Sequence, residues 1–413
     1  MAYFKSVTAS SSLPCCSWVH YSRPSSAVSV AAASSQDGRG QVLEPLLLRV
    51  ARGEDAERTP VWLMRQAGRY MADFRKFSDK LSFRQRSETP DIAIELSLQP
   101  WLAFQTDGVI MFSDILTPLP ALGIEFDMVK GKGPCIHSPI RTIQDINKLR
   151  TMDDPDQSLP FLRKILSSLR QEVEGKATLI GFVGTPWTLA AYAMEGGADK
   201  SLVKTKTIML QEPEVLHALL AHFTEALAVY ICHQIDSGAQ IIQLFDSWAH
   251  HLSPKQFTTF SWPYVEQVIS KVKAQRPDVP LIFHANGGTG KLHIIAQRHH
   301  QDVVVGLDWA TEMHQARSLF GDKAVLQGNV DPMILFGTED VIREAVEQCI
   351  RDAGMRHHIL NVGHGVIQGT PEEAVKFFCQ LARDSSSQQQ CRNVTQSTLQ
   401  GVVNPGAVEL LQV

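Results

Sequence analysis

The chain has 413 residues, 44% of them hydrophobic, and a net charge of −4. That is enough to bury one large core or two smaller ones, and it leaves no basic excess to draw nucleic acid or an anionic membrane. No continuous apolar run approaches the roughly 20 residues of a membrane span. The cysteines at 15, 16, 135, 232, 349, 379 and 391 form no CxxC pair, so reduced thiols are expected rather than structural zinc or a disulfide framework.

Residues 1–36 hold eleven serines, the basic residues Lys5 and Arg23, and no acid before Asp37. That composition predicts a disordered transit peptide; the apolar core of a secretory signal is missing. From residue 43 the pattern becomes regular, beginning with a helix over 43–52. Short apolar runs follow at 60–64, 108–112, 178–183, 240–245, 279–283, 303–307, 324–327 and 358–362. Each is apolar at nearly every position, as a strand covered on both faces should be. Amphipathic helical stretches lie between them, among them 91–105, 214–237, 254–273, 339–353 and 371–383. Eight strand–helix alternations predict a single (β/α)8 barrel of the TIM type over 43–384. A doubly wound open sheet is the alternative, since periodicity does not show closure. One stretch, 119–140, is rich in Gly and Pro and reads as a hairpin excursion. The segment 385–413 is polar, rich in Gln and Ser, and aperiodic, and reads as a disordered tail.

In such a barrel the site gathers at the carboxyl ends of the strands. The first run ends in Arg65, Gly68 and Arg69, and arginine suits bidentate binding of carboxylate or phosphate. The later runs end in Ser113-Asp114; in the stretch carrying Tyr192; in Asp246, Ser247 and Trp248; in His284 and Asn286; in Asp308; in Asn329 and Asp331; and in His364. Small residues sit beside most of them, which lets a ligand approach the backbone. Plainer readings exist for each. Arg65 and Arg69 could be a surface pair, Asp114 or Ser247 a helix cap, Tyr192 a core aromatic, His364 a loop histidine, and Asp308 a buried structural acid. Phosphate-cradling GxGxxG and GxxxxGK[ST] motifs are missing, as are HExxH, a His/Cys cluster at metal spacing and a GxSxG elbow. The remaining inventory suits a polyanionic substrate and proton transfer without metal or organic cofactor.

The stretches PVWLMRQAGRY at 60–70, FSDILTPLPALG at 112–123, GFVGTPWTLAAYAMEGG at 181–197, QLFDSW at 243–248 and NVGHG at 361–365 together resemble the uroporphyrinogen decarboxylase family. The resemblance runs from about residue 44 to 383, and the first 36 residues fit its plastid (plant or algal) form. It implies a cofactor-free homodimer in the plastid stroma that takes a small-molecule tetrapyrrole. The reaction would convert the four acetate arms of uroporphyrinogen III to methyls, giving coproporphyrinogen III. Carried over by motif, catalysis falls to Asp114, Arg65 and Tyr192. Substrate binding falls to Arg65, Arg69, Asp114, Tyr192, Phe245, Ser247 and His364, with Phe245 against the macrocycle.

Two departures stand out. MADFR at 71–75 replaces the LPEYR often found in the family, and Ser78 stands where a further basic residue is common. Lys76, Arg84 and Arg86 are the candidates to replace it. Two rival readings remain. The same superfamily includes zinc methyltransferases acting on corrinoid proteins, but these carry a His-x-Cys where this chain has His284-Ala-Asn286. A non-catalytic tetrapyrrole-binding protein is the other.

Overall fold

The computed structural model describes residues 44–129, 131–297 and 302–385. The transit segment assigned to 1–36, and the tail assigned to 385–413 apart from Ser385, lie outside the described residues. A seven-stranded parallel sheet is built from β1 (Gly108–Ile110), β4 (Thr178–Gly184), β5 (Ile241–Asp246), β6 (Leu281–Ala285), β7 (Val303–Gly306), β8 (Leu326–Val330) and β9 (His358–Val362), in that spatial order. A separate antiparallel hairpin pairs β2 (Phe126–Val129) with β3 (Gly133–Ile136), with Phe126 opposite Ile136. This is the excursion expected within 119–140. All positions of the seven sheet strands are buried, as a sheet covered on both faces requires.

The ring is closed by residues 60–64. Val61 pairs in parallel with Leu360 of β9. The Trp62 N–H donates to the Leu360 carbonyl at 3.3 Å, and the Leu360 N–H to the Pro60 carbonyl at 2.9 Å. On the other side the Asp107 N–H donates to the Val61 carbonyl at 2.7 Å. The run at 60–64 is thus the eighth position of a (β/α)8 barrel, reduced to one bridge. Pro60 has no N–H to give, and the Val61 N–H goes to the Asp107 carboxylate at 2.8 Å instead of a sheet carbonyl. Arg58 grips that carboxylate with two bonds, 2.8 and 2.6 Å. Inside the barrel a polar chain takes the place of an all-apolar layer: Trp62 Nε1 donates to Gln327 Oε1 at 2.9 Å, and Gln327 Nε2 to Gln243 Oε1 at 3.1 Å.

Several boundaries differ from the sequence reading. β6 and β8 run past the predicted ends because the polar residues His284 and Asn329 stay in the sheet at the rim. The single helix expected over 254–273 is two, Pro254–Phe260 and Trp262–Gln275. They break at Ser261, whose hydroxyl turns to the Asp246 carboxylate at 2.6 Å and which precedes a helix with Pro263 in its first turn. The helix Pro213–Asp236 is, by length and composition alone, long and apolar enough to cross a membrane. It holds no continuous apolar run of that length, because Glu214, His217, His222, Glu225 and His233 interrupt it, as the sequence reading expects. Two-thirds of its apolar window is buried against the barrel, which accounts for its composition without a bilayer. The last helix, 372–385, is tied down by Arg383, which donates to the Phe104 carbonyl at 2.9 Å.

Candidate active site

The first site loop is built from both sides. The Met64 N–H donates to Asn361 Oδ1 at 2.9 Å, and the Val366 N–H to the Met64 carbonyl at 2.8 Å, so the loop is tied to β9 and to the turn after it. Gln66 is fully buried; it accepts from the Leu63 N–H at 3.1 Å and donates to the Gly108 carbonyl at 3.0 Å. The Tyr70 hydroxyl closes the loop onto the Gln66 carbonyl at 2.7 Å. Between these ties Arg65 takes a left-handed backbone, φ 61°, which costs a non-glycine residue about 1–2 kcal/mol. Its side chain lies flat across Gly365. A Cβ at 365 would collide with Cγ, Cδ and Nε of Arg65, so only glycine lets the guanidinium pass.

Asp114 follows β1. Its Oδ1 accepts from the Leu116 N–H at 2.8 Å, and Thr117 fixes its backbone by accepting from the Asp114 N–H at 3.2 Å and donating to its carbonyl at 2.8 Å. So Asp114 does cap a turn, as its plainer reading held, but with one oxygen only. Part of its side chain opens onto the cleft while the rest is walled in. That burial raises its pKa to about 6, against the opposing pull of the Leu116 N–H and of Arg65.

Tyr192 lies on the helix Pro186–Glu195, whose first turn is capped by the Thr185 hydroxyl. Its ring meets Trp248 edge-on at 5.3 Å. Burial, then the Asp114 charge, push its phenol up, so it is a hydrogen-bond donor at neutral pH. Ser247 follows Asp246, which is saturated by the hydroxyls of Thr185, Thr188 and Ser261. Phe245 stands edge-on to Phe182 at 5.8 Å and to His284 at 6.1 Å. His364 Nδ1 accepts from the Gly365 N–H at 2.6 Å, which leaves the proton on Nε2. Burial, with Arg65 and His250 nearby, lowers its pKa and keeps the ring neutral.

The structure brings Arg65, Arg69, Asp114, Tyr192, Phe245, Ser247 and His364 to the wall of one cleft of about 1320 Å³. Asp308 is the structural acid of its plainer reading: it accepts from the N–H groups of Gly288 and Ala310 and from Thr311, and does not line the cleft. Sequence reasoning left out His250 and gave no role to His284 or Asn286, which line the same cleft; burial drives the His284 pKa down to about 4. The hairpin residues Met128 and Val129 also reach the cleft. Of the three basic candidates near Ser78, Lys76 pairs with Asp73, and Arg84 with Glu88 and Glu125. Arg86 lines the cleft. Among the described residues no group of three or more His, Cys, Asp or Glu is placed to hold a metal ion.

This arrangement can take a large polyanion. Three arginines line the cleft with two carboxylates, Asp79 and Asp114, the latter with a spare oxygen, and neutral donors stand beside them. The profile of the family described as uroporphyrinogen decarboxylase (URO-D) matches residues 43–385. The chain belongs to that family. The uroporphyrinogen decarboxylase of Crocosphaera subtropica is 52% identical over 340 residues, 82% of this chain and 95% of that protein. That of Picosynechococcus sp. is 52% identical over 344 residues, 83% and 97% of the two chains. Among solved structures, a methyltransferase from Methanosarcina mazei superposes with a TM-score of 0.68 at 18% identity, covering 82% of this chain and 97% of that one. At that identity the likeness shows the barrel alone. It does not revive the zinc reading, for which the thiolate at 286 is absent.

Proposed function

We propose that the chain, a carboxy-lyase by family, removes the carboxyl groups of the four acetate arms of uroporphyrinogen III to give coproporphyrinogen III, with no added cofactor. The observation that carries this reading is Asp114: a walled-in carboxylate with one oxygen bonded to the Leu116 N–H and the other free of such a bond, lining a cleft whose other charged residues are Arg65, Arg69, Arg86 and Asp79. The substrate presents eight carboxylates at its edge and four pyrrole N–H groups at its centre. Asp114 accepts the N–H groups, while Arg65 and Arg69 take carboxylates, at roughly 1.5–3 kcal/mol per charge-assisted bond. Tyr192, Ser247 and His364 orient further carboxylates, and Phe245 packs on the ring.

The chemistry needs an electron sink, and the pyrrole supplies it. Protonation of a ring carbon beside the acetate arm makes the ring cationic, and ionised Asp114 stabilises that cation. The bond to the carboxylate then breaks, its electron pair neutralises the ring, and carbon dioxide leaves. The exocyclic methylene takes a proton and the ring carbon returns one, so each cycle consumes one proton net. Neutral Tyr192 and His364 provide donors at the wall. Anaerobic incubation of the purified chain with uroporphyrinogen should yield coproporphyrinogen. No product under those conditions sinks the reading.

Targeting to the plastid stroma is part of the same proposal, supported by the acid-free, Ser-rich first 36 residues and by the cyanobacterial relatives. Import assays with isolated chloroplasts test it, and failure to shorten and internalise the chain would refute it. A homodimer is supported by the exposed apolar residues Trp309, Met333, Phe336 and Ile367, which follow β7, β8 and β9 in turn. Sedimentation at the monomer mass would refute that.

A further inference from the structure

Arg86 lies on the short helix Phe83–Glu88 and is 8% exposed. Its guanidinium is caged by the rings of Phe74, Phe83 and Phe112, at 5.3, 5.5 and 5.6 Å from their centroids. Its Nε donates to the Ser82 carbonyl one turn back, at 3.3 Å. That uses one of five N–H groups. Among the described residues no carboxylate pairs with it; Asp79 acts only from a distance, and Arg69 repels it. Burial and Arg69 push its pKa down, yet a guanidinium stays charged in a protein.

Burying an unpaired cation costs several kcal/mol. Three cation–π contacts return roughly 0.5–2 kcal/mol each, and they hold the planar group still without using its donors. Arg86 lines the cleft that Arg65, Arg69 and Asp114 also line. Phe112, one bar of the cage, is two residues before Asp114. A fixed cation with spare donors beside a polyanion site is matched by a carboxylate.

We propose that Arg86 is a substrate-binding residue that takes a carboxylate of the tetrapyrrole not undergoing loss and adds affinity for the ring without acting on the bond that breaks. The proposal rests on the decarboxylase reading for the identity of the ligand. A carboxylate held alike before and during bond breaking contributes to KM and not to kcat.

The test is Arg86→Met, because methionine fills an aromatic-lined slot without the charge. The KM for uroporphyrinogen should rise about tenfold, equivalent to about 1.4 kcal/mol, with kcat within about twofold of the parent. A folded R86M with the parent KM overturns the proposal, as does a loss confined to kcat. If R86M does not fold, Arg86→Lys keeps the charge and the cage but loses the fork; its KM should rise severalfold, and an unchanged KM overturns the proposal. A second arm needs no turnover: uroporphyrin, the oxidised and unreactive ring with all eight carboxylates, is titrated by fluorescence. Weaker binding to R86M supports the proposal and equal binding overturns it. Parent protein that binds uroporphyrin through Arg86 but never decarboxylates uroporphyrinogen would sink the function while leaving this site standing.

Discussion

Arg317, below β8, and Arg86, at the cleft, are equally buried at 8% exposure, and they meet opposite surroundings. Arg317 donates to the carbonyls of Ala353, Gly321, Ala324, Arg356 and His357, at 2.6–3.4 Å. Every direction its fork points is filled. Arg86 makes one such bond and is otherwise held by aromatic faces. The acids repeat the contrast. Asp246 accepts three hydroxyls, whereas Asp114 accepts one N–H and keeps an oxygen free. Burial pushes the pKa of both acids up and of both arginines down. A perturbed pKa therefore does not separate a structural charge from a working one here. The number of unfilled bonding directions does: saturated groups hold the barrel, and half-filled ones face the cleft.

The largest expected break in that symmetry comes from cutting both acids to alanine. Asp114→Ala should cut turnover by at least about 100-fold, the cost of losing a placed electrostatic stabiliser. It should leave folding stability at pH 7 unchanged or raised by about 1 kcal/mol, since an ionised, partly desolvated carboxylate is gone. Asp246→Ala should instead lose about 3 kcal/mol of stability, because the hydroxyls of Thr185, Thr188 and Ser261 are left facing a cavity. Urea titration and the anaerobic assay read the two quantities. Equal destabilisation by both substitutions, with turnover kept in the first, would abolish the distinction. Next comes Arg317→Met, which strands five carbonyls that Arg317 now fills. It should cost about 3 kcal/mol and leave the KM of the folded fraction unchanged, the reverse of what is expected for Arg86→Met. A shifted KM in Arg317→Met would mean that the two regions are not separable.

Much of the frame was legible because eight apolar runs with helices between them admit few folds, and each run falls where a strand or bridge lies. Closure was not, since it depends on Val61 meeting Leu360 from the far end of the chain. The rim residues were legible, in order, as polar groups following apolar runs, and the resemblance picked out which of them would bind and act on the substrate. What stayed hidden was set by tertiary contact. Nothing local marks Arg65 as left-handed; that follows from the ties at Met64 and Gln66 and from the opening at Gly365. Lys76, Arg84 and Arg86 look alike in sequence. Only the packing of Phe74, Phe83 and Phe112 shows which of them is withheld from a carboxylate partner. The break at Ser261 was hidden for the same reason, its hydroxyl being claimed by Asp246 from another strand.

The smallest effect, and the sharpest on Asp114, is in pH. A carboxyl with its folded pKa raised from 3.8 to about 6 binds more protons folded than unfolded between those values. Its contribution to stability therefore falls as pH rises through that window and is flat above it. The catalytic role runs the other way, because the ionised form is the stronger acceptor of pyrrole N–H groups and the one that stabilises a cationic ring. In the parent protein kcat/KM, which reports the free enzyme, should drop below pH about 6 with the slope of a single proton. The acid limb of kcat should lie lower, since N–H donors from the bound ring favour the ionised carboxylate. Coincident limbs in the two profiles would mean that the bound ring leaves the Asp114 pKa unmoved, and the assignment of its free oxygen to the pyrrole N–H groups would fail.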